Sequence, residues 1–176
     1  CERYLRGEPL WKWIKRIAAL KAKKIVWKPS LDSANTATFA ISIDGTDFRI
    51  WERKHIALPR DNKQCSKKFN HGAAKYLIAL SVFEPKCVYI AGPYRGGMHD
   101  LEVFRLSGLK EKLIRNKKLS LVDRGYRTKR EEEQGMFSFP EKMDSKALNN
   151  FKSRGRLRQE TFNGRLKFFC CLSDTF

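Results

Sequence analysis

The chain has 176 residues and a formal net charge of +18, since 37 lysines and arginines outnumber 19 aspartates and glutamates. This length suits one domain with a real core, and the 12 phenylalanines exclude a disordered basic tail, which would lack apolar residues. The charge favours a polyanionic partner. No apolar run approaches the ~20 residues of a membrane span, and five cysteines without C-x-x-C spacing do not favour a zinc site.

Residues 1–30 are predicted to form a basic amphipathic helical segment. In "PLWKWIKRIAALKAKKIVW" apolar side chains recur at helical spacing, and lysine and arginine occupy most of the other positions. Such a helix usually docks its apolar face on the protein, and contact with DNA or a membrane is the alternative. Pro29 ends it, which places the main domain at residues 31–176. Because the chain begins with Cys1 and shows no secretory signal, we expect a fragment of a longer intracellular protein.

The period of the pattern changes in "FAISIDGTDFRIWE", residues 39–52. Phe39, Ile41 and Ile43 alternate with smaller residues as in a β-strand, so Asp44 lies on the face opposite these bulky side chains. Asp-Gly-Thr-Asp at 44–47 predicts a turn, and a second strand follows at 48–51. Asp44 is therefore placed at a strand end, where an aspartate is most often a turn former.

A hairpin and a helix are predicted next. Residues 76–83 and 87–90 form the strands across Glu84-Pro85-Lys86, and the preceding "RDNKQCSKKFNHG" is loop-like. Three strands with short connections suggest an antiparallel start to a sheet. In "HDLEVFRLSGLKEKLI" the spacing predicts one helix that Asp100 can cap.

A second carboxylate follows another short apolar strand. "KLSLVDRGY" ends its apolar run at Asp123 with a glycine shortly after, so the pattern of Asp44 recurs. Residues 127–145 are predicted to be irregular, with the acidic run 131–133 forming a solvated face.

The last predicted helix, residues 146–169, carries a third acid. Its apolar side chains form one stripe, made up of Leu148, Phe151, Phe162, Leu166 and Phe169. At ~100° per residue, Glu160 faces away from this stripe and lies on a basic face near Arg156 and Gly164. An ordinary Arg156–Glu160 ion pair is the simpler interpretation.

Two aspartates at strand ends and a glutamate on a late helix suit an acidic metal site on an RNase H-like scaffold. There, central strands bring Asp44 and Asp123 together, and a helix across the sheet supplies Glu160. Carboxylate oxygens suit Mg²⁺, and two ions ~3.5–4 Å apart can activate water or a 3′-hydroxyl for attack on phosphorus. The lysines and arginines would hold the nucleic acid backbone.

Five blocks of the sequence, in this order, resemble the DDE-superfamily transposases of the PIF/Harbinger-like group: "SIDGTDF", "SKKFNHGAAKYLIALSV", "IAGPYRGGMHDLEVFR", "LVDRGY" and "RQETFNGRLKFF". The resemblance covers residues 38–172, and five ordered blocks are far more specific than any one alone. It implies an α/β fold with an RNase H-like mixed sheet flanked by helices. It also implies DNA strand cleavage and transfer, with Asp44, Asp123 and Glu160 as catalytic residues that bind two Mg²⁺ or Mn²⁺ ions.

The same resemblance implies supporting residues and partners. His99 and Asp100 are expected to support the site. Apart from the resemblance, basic side chains beside the acids or in the loop are candidates for DNA contact, with simple surface charge as the alternative for each: Lys67, Lys68, Arg124, Arg127, Arg156 and Lys167. The partner is double-stranded DNA, as transposon ends and target, in the nucleus. A separate DNA-binding partner protein and a homo-oligomer stay open, and no membrane partner is expected.

Two departures from the family pattern leave alternatives. Gln159 stands where relatives often have histidine, which questions proton handling or DNA contact beside Glu160. No helix-turn-helix segment is evident ahead of the catalytic region. A domesticated, inactive DNA-binding protein is therefore one alternative, and a basic RNA-binding protein is another.

Overall fold

The computed structural model describes residues 10–27, 39–50, 62–68, 70–116 and 118–169. In chain order its elements are α1 (Leu10–Lys24), β1 (Phe39–Arg49), β2 (Cys65–Ser66), β3 (His71–Ser81), β4 (Cys87–Arg95), α2 (Asp100–Leu106), α3 (Leu109–Asn116), β5 (Leu119–Leu121), a 3₁₀ turn (Arg124–Tyr126), α4 (Glu131–Gln134), β6 (Phe137–Ser138) and α5 (Lys146–Leu166). The predicted helical residues 1–9 and 28–30, and the predicted strand end at residue 51, lie outside the described residues.

Within the described ranges, six strands form one mixed sheet in the order β2–β3–β1–β5–β6, and β4 also pairs with β3. Central β1 is antiparallel to β3 and parallel to β5, and β6 extends the sheet parallel to β5. The antiparallel pairing of β3 with β4 confirms the predicted hairpin. Helices pack on this sheet, so the predicted α/β class and RNase H-like architecture are confirmed.

Different helices cover the two faces of the sheet. Alternation along β1 sends Ile41 and Ile43 into a buried cluster with side chains of α2 and α3. Both isoleucines are at most 2% exposed, and burying such a side chain contributes about 1.5–3 kcal/mol. The opposite face of β1 meets α5, where Ser42 Oγ donates a hydrogen bond to Gln159 Oε1 at 2.8 Å. Asp44 follows on this second face.

The predicted turn at residues 44–47 is wrong, because β1 continues through it as one strand of 11 residues. Residues 41–49 pair without interruption with β3, and this ladder outweighs the local turn propensity. Gly45 permits close packing instead of a turn. A Cβ at this position would lie 2.5 Å from Asp100 Oδ1.

The helix predicted in residues 99–114 is two helices, α2 and α3. Gly108 lies between them with a φ of +76°, a conformation that glycine adopts without strain. His99 rather than Asp100 caps α2, since His99 Nδ1 accepts a hydrogen bond from Leu101 N–H. The break allows Leu109 of α3 to be fully buried.

Residues 127–145 are more ordered than predicted, since they contain α4 and β6. The predicted solvated face is wrong for Glu133, which is 0% exposed. Its carboxylate accepts hydrogen bonds from Arg105 at 2.7 and 2.8 Å and from Thr128 at 2.9 Å, and it pairs with Lys110 at 3.2 Å. This network ties α4 to both α2 and α3.

Helix α5 buries polar side chains more fully than the predicted apolar stripe. Lys152, Gln159 and Asn163 are buried, whereas Phe151 and Phe169 are 39% and 62% exposed. The stripe is therefore not the most buried face of α5, although Leu148, Phe162 and Leu166 are partly buried. Helical periodicity counts apolar residues and does not detect polar side chains that find partners in the core.

Helix α5 approaches the sheet closely, which explains why its polar face is the buried one. A Cβ at Gly155 would lie 2.5 Å from Leu121 Cδ1, so glycine lets the helix pack directly on β5. Lys152 reaches out of the same interface and forms an ion pair with Asp144 at 2.7 Å. Lys152, Gln159 and Asn163 on the polar face of α5 thus each bond to a neighbouring element.

Helix α1 lies outside the central packing. Ile17 is 61% exposed, so the predicted docking of the apolar face is wrong for this side chain, and Leu20 is 58% exposed as well. The segment contacts the domain at Trp27, which packs against the buried cluster and lies 5.5 Å from Lys112 Nζ. Among the residues placed by the structure, no helix combines the length and apolar character needed to span a bilayer.

Candidate active site

A groove of about 400 Å³ lies between the sheet and α5. All three predicted acids line it: Asp44 comes from β1, Asp123 follows β5, and Glu160 comes from α5. The fold therefore brings together three carboxylates that are far apart in the sequence.

Strand pairing explains why Asp44 and Asp123 share the groove. β1 and β5 are parallel neighbours in which Ser42 pairs with Leu121, so the residues two positions later continue in the same direction on the same face. Asp123 makes no side-chain hydrogen bond that caps the following 3₁₀ turn. Its carboxylate, 57% exposed, is directed to the groove rather than used as a turn former.

Asp44 is partly buried, whereas the other two acids are exposed. Burial, and next the charge of Asp100, raise the pKa of Asp44 to about 6, and Asp123 adds a smaller effect in the same direction. Hydrogen bonds from the Gly45 backbone and from Asn163 Nδ2, the latter at 2.8 Å, oppose this increase in pKa. An ionised Asp44 therefore costs folding free energy in the absence of a bound cation.

We expect Asp44→Asn to stabilise the protein in EDTA at pH 7 by about 1–3 kcal/mol, at ~1.4 kcal/mol per pKa unit. Because the pKa of the folded state is raised, the folded protein binds more protons than the unfolded chain between about pH 4 and 6, so its stability falls as pH rises. The stability gained by Asp44→Asn relative to wild type should therefore be complete above about pH 6 and small near pH 4. Urea denaturation across this range measures it, and a variant less stable than wild type at pH 7 would contradict the prediction.

Arg156 joins the other two acids. Its Nη2 lies 3.0 Å from Asp123 Oδ1 and 3.5 Å from Glu160 Oε1. The predicted ion pair of Arg156 with Glu160, one turn along α5, is present, and the ion pair of Arg156 with Asp123 links α5 to the end of β5. In this arrangement no three Asp, Glu, His or Cys side chains of the described residues lie close enough together to hold a metal ion.

The predicted supporting residues line a second hollow, of about 360 Å³, which also includes Asp44. Asp100 forms an ion pair with Lys75 at 2.9 Å and, through its charge, raises the pKa of Asp44. His99 caps α2 at the edge of this hollow. The capping role thus belongs to His99, and a support role for Asp100 stays a prediction.

The six candidate DNA-contacting residues fall into two groups. Four line the groove or the second hollow, namely Lys67, Lys68, Arg156 and Lys167. Burial and the nearby Lys68 lower the pKa of Lys167. Arg124 and Arg127 line neither cavity, and Arg127 lies 5.0 Å from the Phe139 ring centroid. The structure therefore places only the first group beside the acids.

Gln159 lines the groove with Glu160, and its side-chain amide is held by the sheet. It is 3% exposed and faces the sheet, where its Nε2 donates to the Ile78 carbonyl at 3.3 Å while its Oε1 accepts from Ser42. It anchors α5 to β1 and β3 and also lines the groove beside Glu160, so an effect of this residue on proton handling or DNA contact stays a prediction.

Asn163 was missed from the sequence although it contacts Asp44 directly. Its side chain is 7% exposed, its Nδ2 donates to Asp44 Oδ2, and its Oδ1 is buried without a hydrogen-bond partner. One feature of the sequence could have identified Asn163. The spacing of Lys152, Gln159 and Asn163 places three polar side chains on one face of a helix.

The donor chemistry of the groove fits a hard divalent cation. Asp44, Asp123 and Glu160 present carboxylate oxygens, which Mg²⁺ and Mn²⁺ prefer. A cation would also stabilise the ionised form of Asp44. Arg156 would compete with such an ion, because its guanidinium contacts one carboxylate oxygen of Asp123 and one of Glu160.

Comparison with protein families gives one match. The sequence model described as DDE superfamily endonuclease matches residues 43–176, a range that covers well over half of the chain and includes all three acids. Curated proteins and solved structures give no significant match.

Proposed function

Because the chain belongs to the DDE superfamily endonucleases, we propose that it is the catalytic domain of a DNA transposase, or of a gene product descended from one. The PIF/Harbinger-like group is the proposed subfamily. The observation that carries this proposal is the convergence of Asp44, Asp123 and Glu160 on one groove. The proposed reactions are hydrolysis of one DNA strand and attack of the freed 3′-hydroxyl on target DNA.

In this proposal the three acids hold Mg²⁺ or Mn²⁺, as two ions. When bound, such ions supply activation of a water or 3′-hydroxyl and charge stabilisation at the phosphorus. The protein's own contribution is positioning. Asn163 orients the Asp44 carboxylate through its 2.8 Å hydrogen bond, and Gln159 holds α5 against the sheet so that Glu160 lines the groove.

The proposed substrate is double-stranded DNA, both as transposon ends and as target. Lys67, Lys68 and Lys167 line the hollow beside Asp44, where they can contact phosphates next to the cleaved bond. The net charge of +18 supports binding along a longer stretch of backbone. We further propose that the protein acts in the nucleus, with recognition of transposon ends supplied by another segment or a DNA-binding partner, and that a homo-oligomer can form.

Nicking of supercoiled plasmid by the purified protein tests this function. We expect nicked circles in Mg²⁺ or Mn²⁺, none in EDTA, and recovery of nicking when Mg²⁺ is restored in excess. Double-stranded RNA, incubated with the protein under the same conditions, should remain uncut. DNA binding that persists in EDTA without any cleavage would instead support an inactive DNA-binding domain, and a preference for RNA would support the RNA-binding alternative.

A further inference from the structure

Arg156 occupies the position between two site acids that a cation would otherwise fill. Its guanidinium contacts Asp123 Oδ1 at 3.0 Å and Glu160 Oε1 at 3.5 Å. The two carboxylates come from different elements and are 57% and 60% exposed, so neither is held by burial. Without a positive group between them they would repel each other. In the free protein, Arg156 therefore supplies the neutralising charge.

A guanidinium and a divalent ion compete for these oxygens. Mg²⁺ binds carboxylate oxygen at about 2.0–2.1 Å and prefers near-octahedral geometry, whereas Arg156 already forms an ion pair with Asp123. Placing both against one carboxylate would bring two positive groups together. Metal binding at Asp123 and Glu160 is therefore weakened while the side chain of Arg156 stays between them.

The structure also provides a place for Arg156 to go. A second opening of about 610 Å³ runs along the outer face of α5, and Arg156 and Glu160 line both this opening and the acid groove. Arg154 lines the same opening. Two arginines beside an open cavity suit a phosphate group, because guanidinium can bind phosphate through two parallel hydrogen bonds.

We propose that Arg156 is an internal counter-ion that couples DNA binding to metal binding. It neutralises Asp123 and Glu160 in the free protein, and a DNA phosphate in the outer opening draws it away and leaves both acids available to the divalent ion. This inference rests on the proposed function, since it requires the same acids to bind the metal. The coupling is reciprocal, so the ion must strengthen DNA binding by the same factor that DNA strengthens ion binding.

Mn²⁺ titration followed by electron paramagnetic resonance tests the coupling, with and without a short DNA duplex at constant ionic strength. The signal of free Mn²⁺ gives the dissociation constant without any cleavage, and Asp123→Asn with the same duplex corrects for Mn²⁺ bound elsewhere. For the wild type we expect the duplex to tighten Mn²⁺ binding about 10-fold, a typical size for coupling between two sites.

Arg156→Gln is the diagnostic variant. Without DNA it should bind Mn²⁺ about 3- to 30-fold more tightly than wild type, because two partly exposed ion pairs no longer compete. The effect of the duplex should then fall to less than about 2-fold. Arg154→Gln is the matched control: it removes a neighbouring arginine of the same opening and should weaken duplex binding while keeping the coupling.

The outcomes separate this inference from the proposed function. If wild type binds Mn²⁺ through Asp123 but Arg156→Gln binds it equally or more weakly without DNA, the counter-ion role is wrong and the metal site stands. If coupling persists in Arg156→Gln, another residue carries it and the inference is again wrong. If wild type binds no Mn²⁺ at all, with or without DNA, both the metal site and the counter-ion role fail.

Discussion

Asp123→Asn and Glu160→Gln are each expected to lower the rate of Mg²⁺-dependent DNA nicking by at least about 100-fold. Loss of a residue that only supports a metal ligand typically costs 10- to 100-fold, so loss of a ligand should cost no less. Both side chains are more than half exposed and belong to no buried cluster. Substitution should therefore change the free energy of unfolding by less than about 0.5 kcal/mol.

Plasmid nicking and urea denaturation of the same preparations separate catalysis from stability. Glu131→Gln is the matched control, because it removes an exposed glutamate of α4 that does not line the groove. It should nick at the wild-type rate. If Asp123→Asn nicks DNA at the wild-type rate, the assignment of the acids is wrong. If either variant loses much stability, the substituted carboxylate contributes to the stability of the fold.

Glu133→Gln is expected to destabilise the protein by about 3 kcal/mol or more. Glu133 is fully buried and accepts hydrogen bonds from Arg105 and Thr128 while pairing with Lys110. Removing one partner of a buried ion pair leaves the other charge uncompensated, which typically costs about 3–5 kcal/mol. Equilibrium unfolding in urea at pH 7 measures the change.

Glu132→Gln is the control for this substitution. Glu132 is the adjacent residue, pairs with the same Lys110 at 2.6 Å and is 60% exposed, so its loss should cost less than about 1 kcal/mol. Equal effects of the two substitutions would contradict the argument from burial.

The contribution of the Glu133 network to stability should also depend on pH. Hydrogen bonds from Arg105 lower the pKa of Glu133 from 4.5 to about 2, with further contributions from Thr128 and Lys110. A lowered acid pKa stabilises the fold above the pKa of the unfolded chain, and this contribution is lost as pH falls through the folded value. The stability difference between wild type and Glu133→Gln should therefore be full above about pH 5 and shrink toward pH 2.

Local sequence patterns predicted some elements correctly, because the residues that favour the element locally are also the ones that pack in the folded protein. Alternation in Phe39, Ile41 and Ile43 predicted both the strand and the face of Asp44, since one face of β1 is apolar and buried. The hairpin of β3 and β4 was equally visible, because its two apolar runs are adjacent in the chain.

Other predictions failed where distant partners decide the outcome. Asp-Gly-Thr-Asp at 44–47 has turn propensity, yet pairing with β3 keeps it extended and packing of Asp100 requires Gly45. Glu133 lies in an acidic run that looked solvated, and only the fold brings Arg105 to it. Propensity is weak compared with a strand ladder or a buried ion pair.

The sequence by itself determined the family and the α/β class, because these follow from residue types in a fixed order, and the same order predicted which three acids form the site. Only the tertiary structure decided how the acids are held: Asn163 bonds to Asp44, Arg156 lies between Asp123 and Glu160, and polar side chains anchor α5. The physical reason is that a hydrogen bond or ion pair needs two groups within about 3–4 Å. Linear spacing cannot reveal which distant groups the fold brings that close.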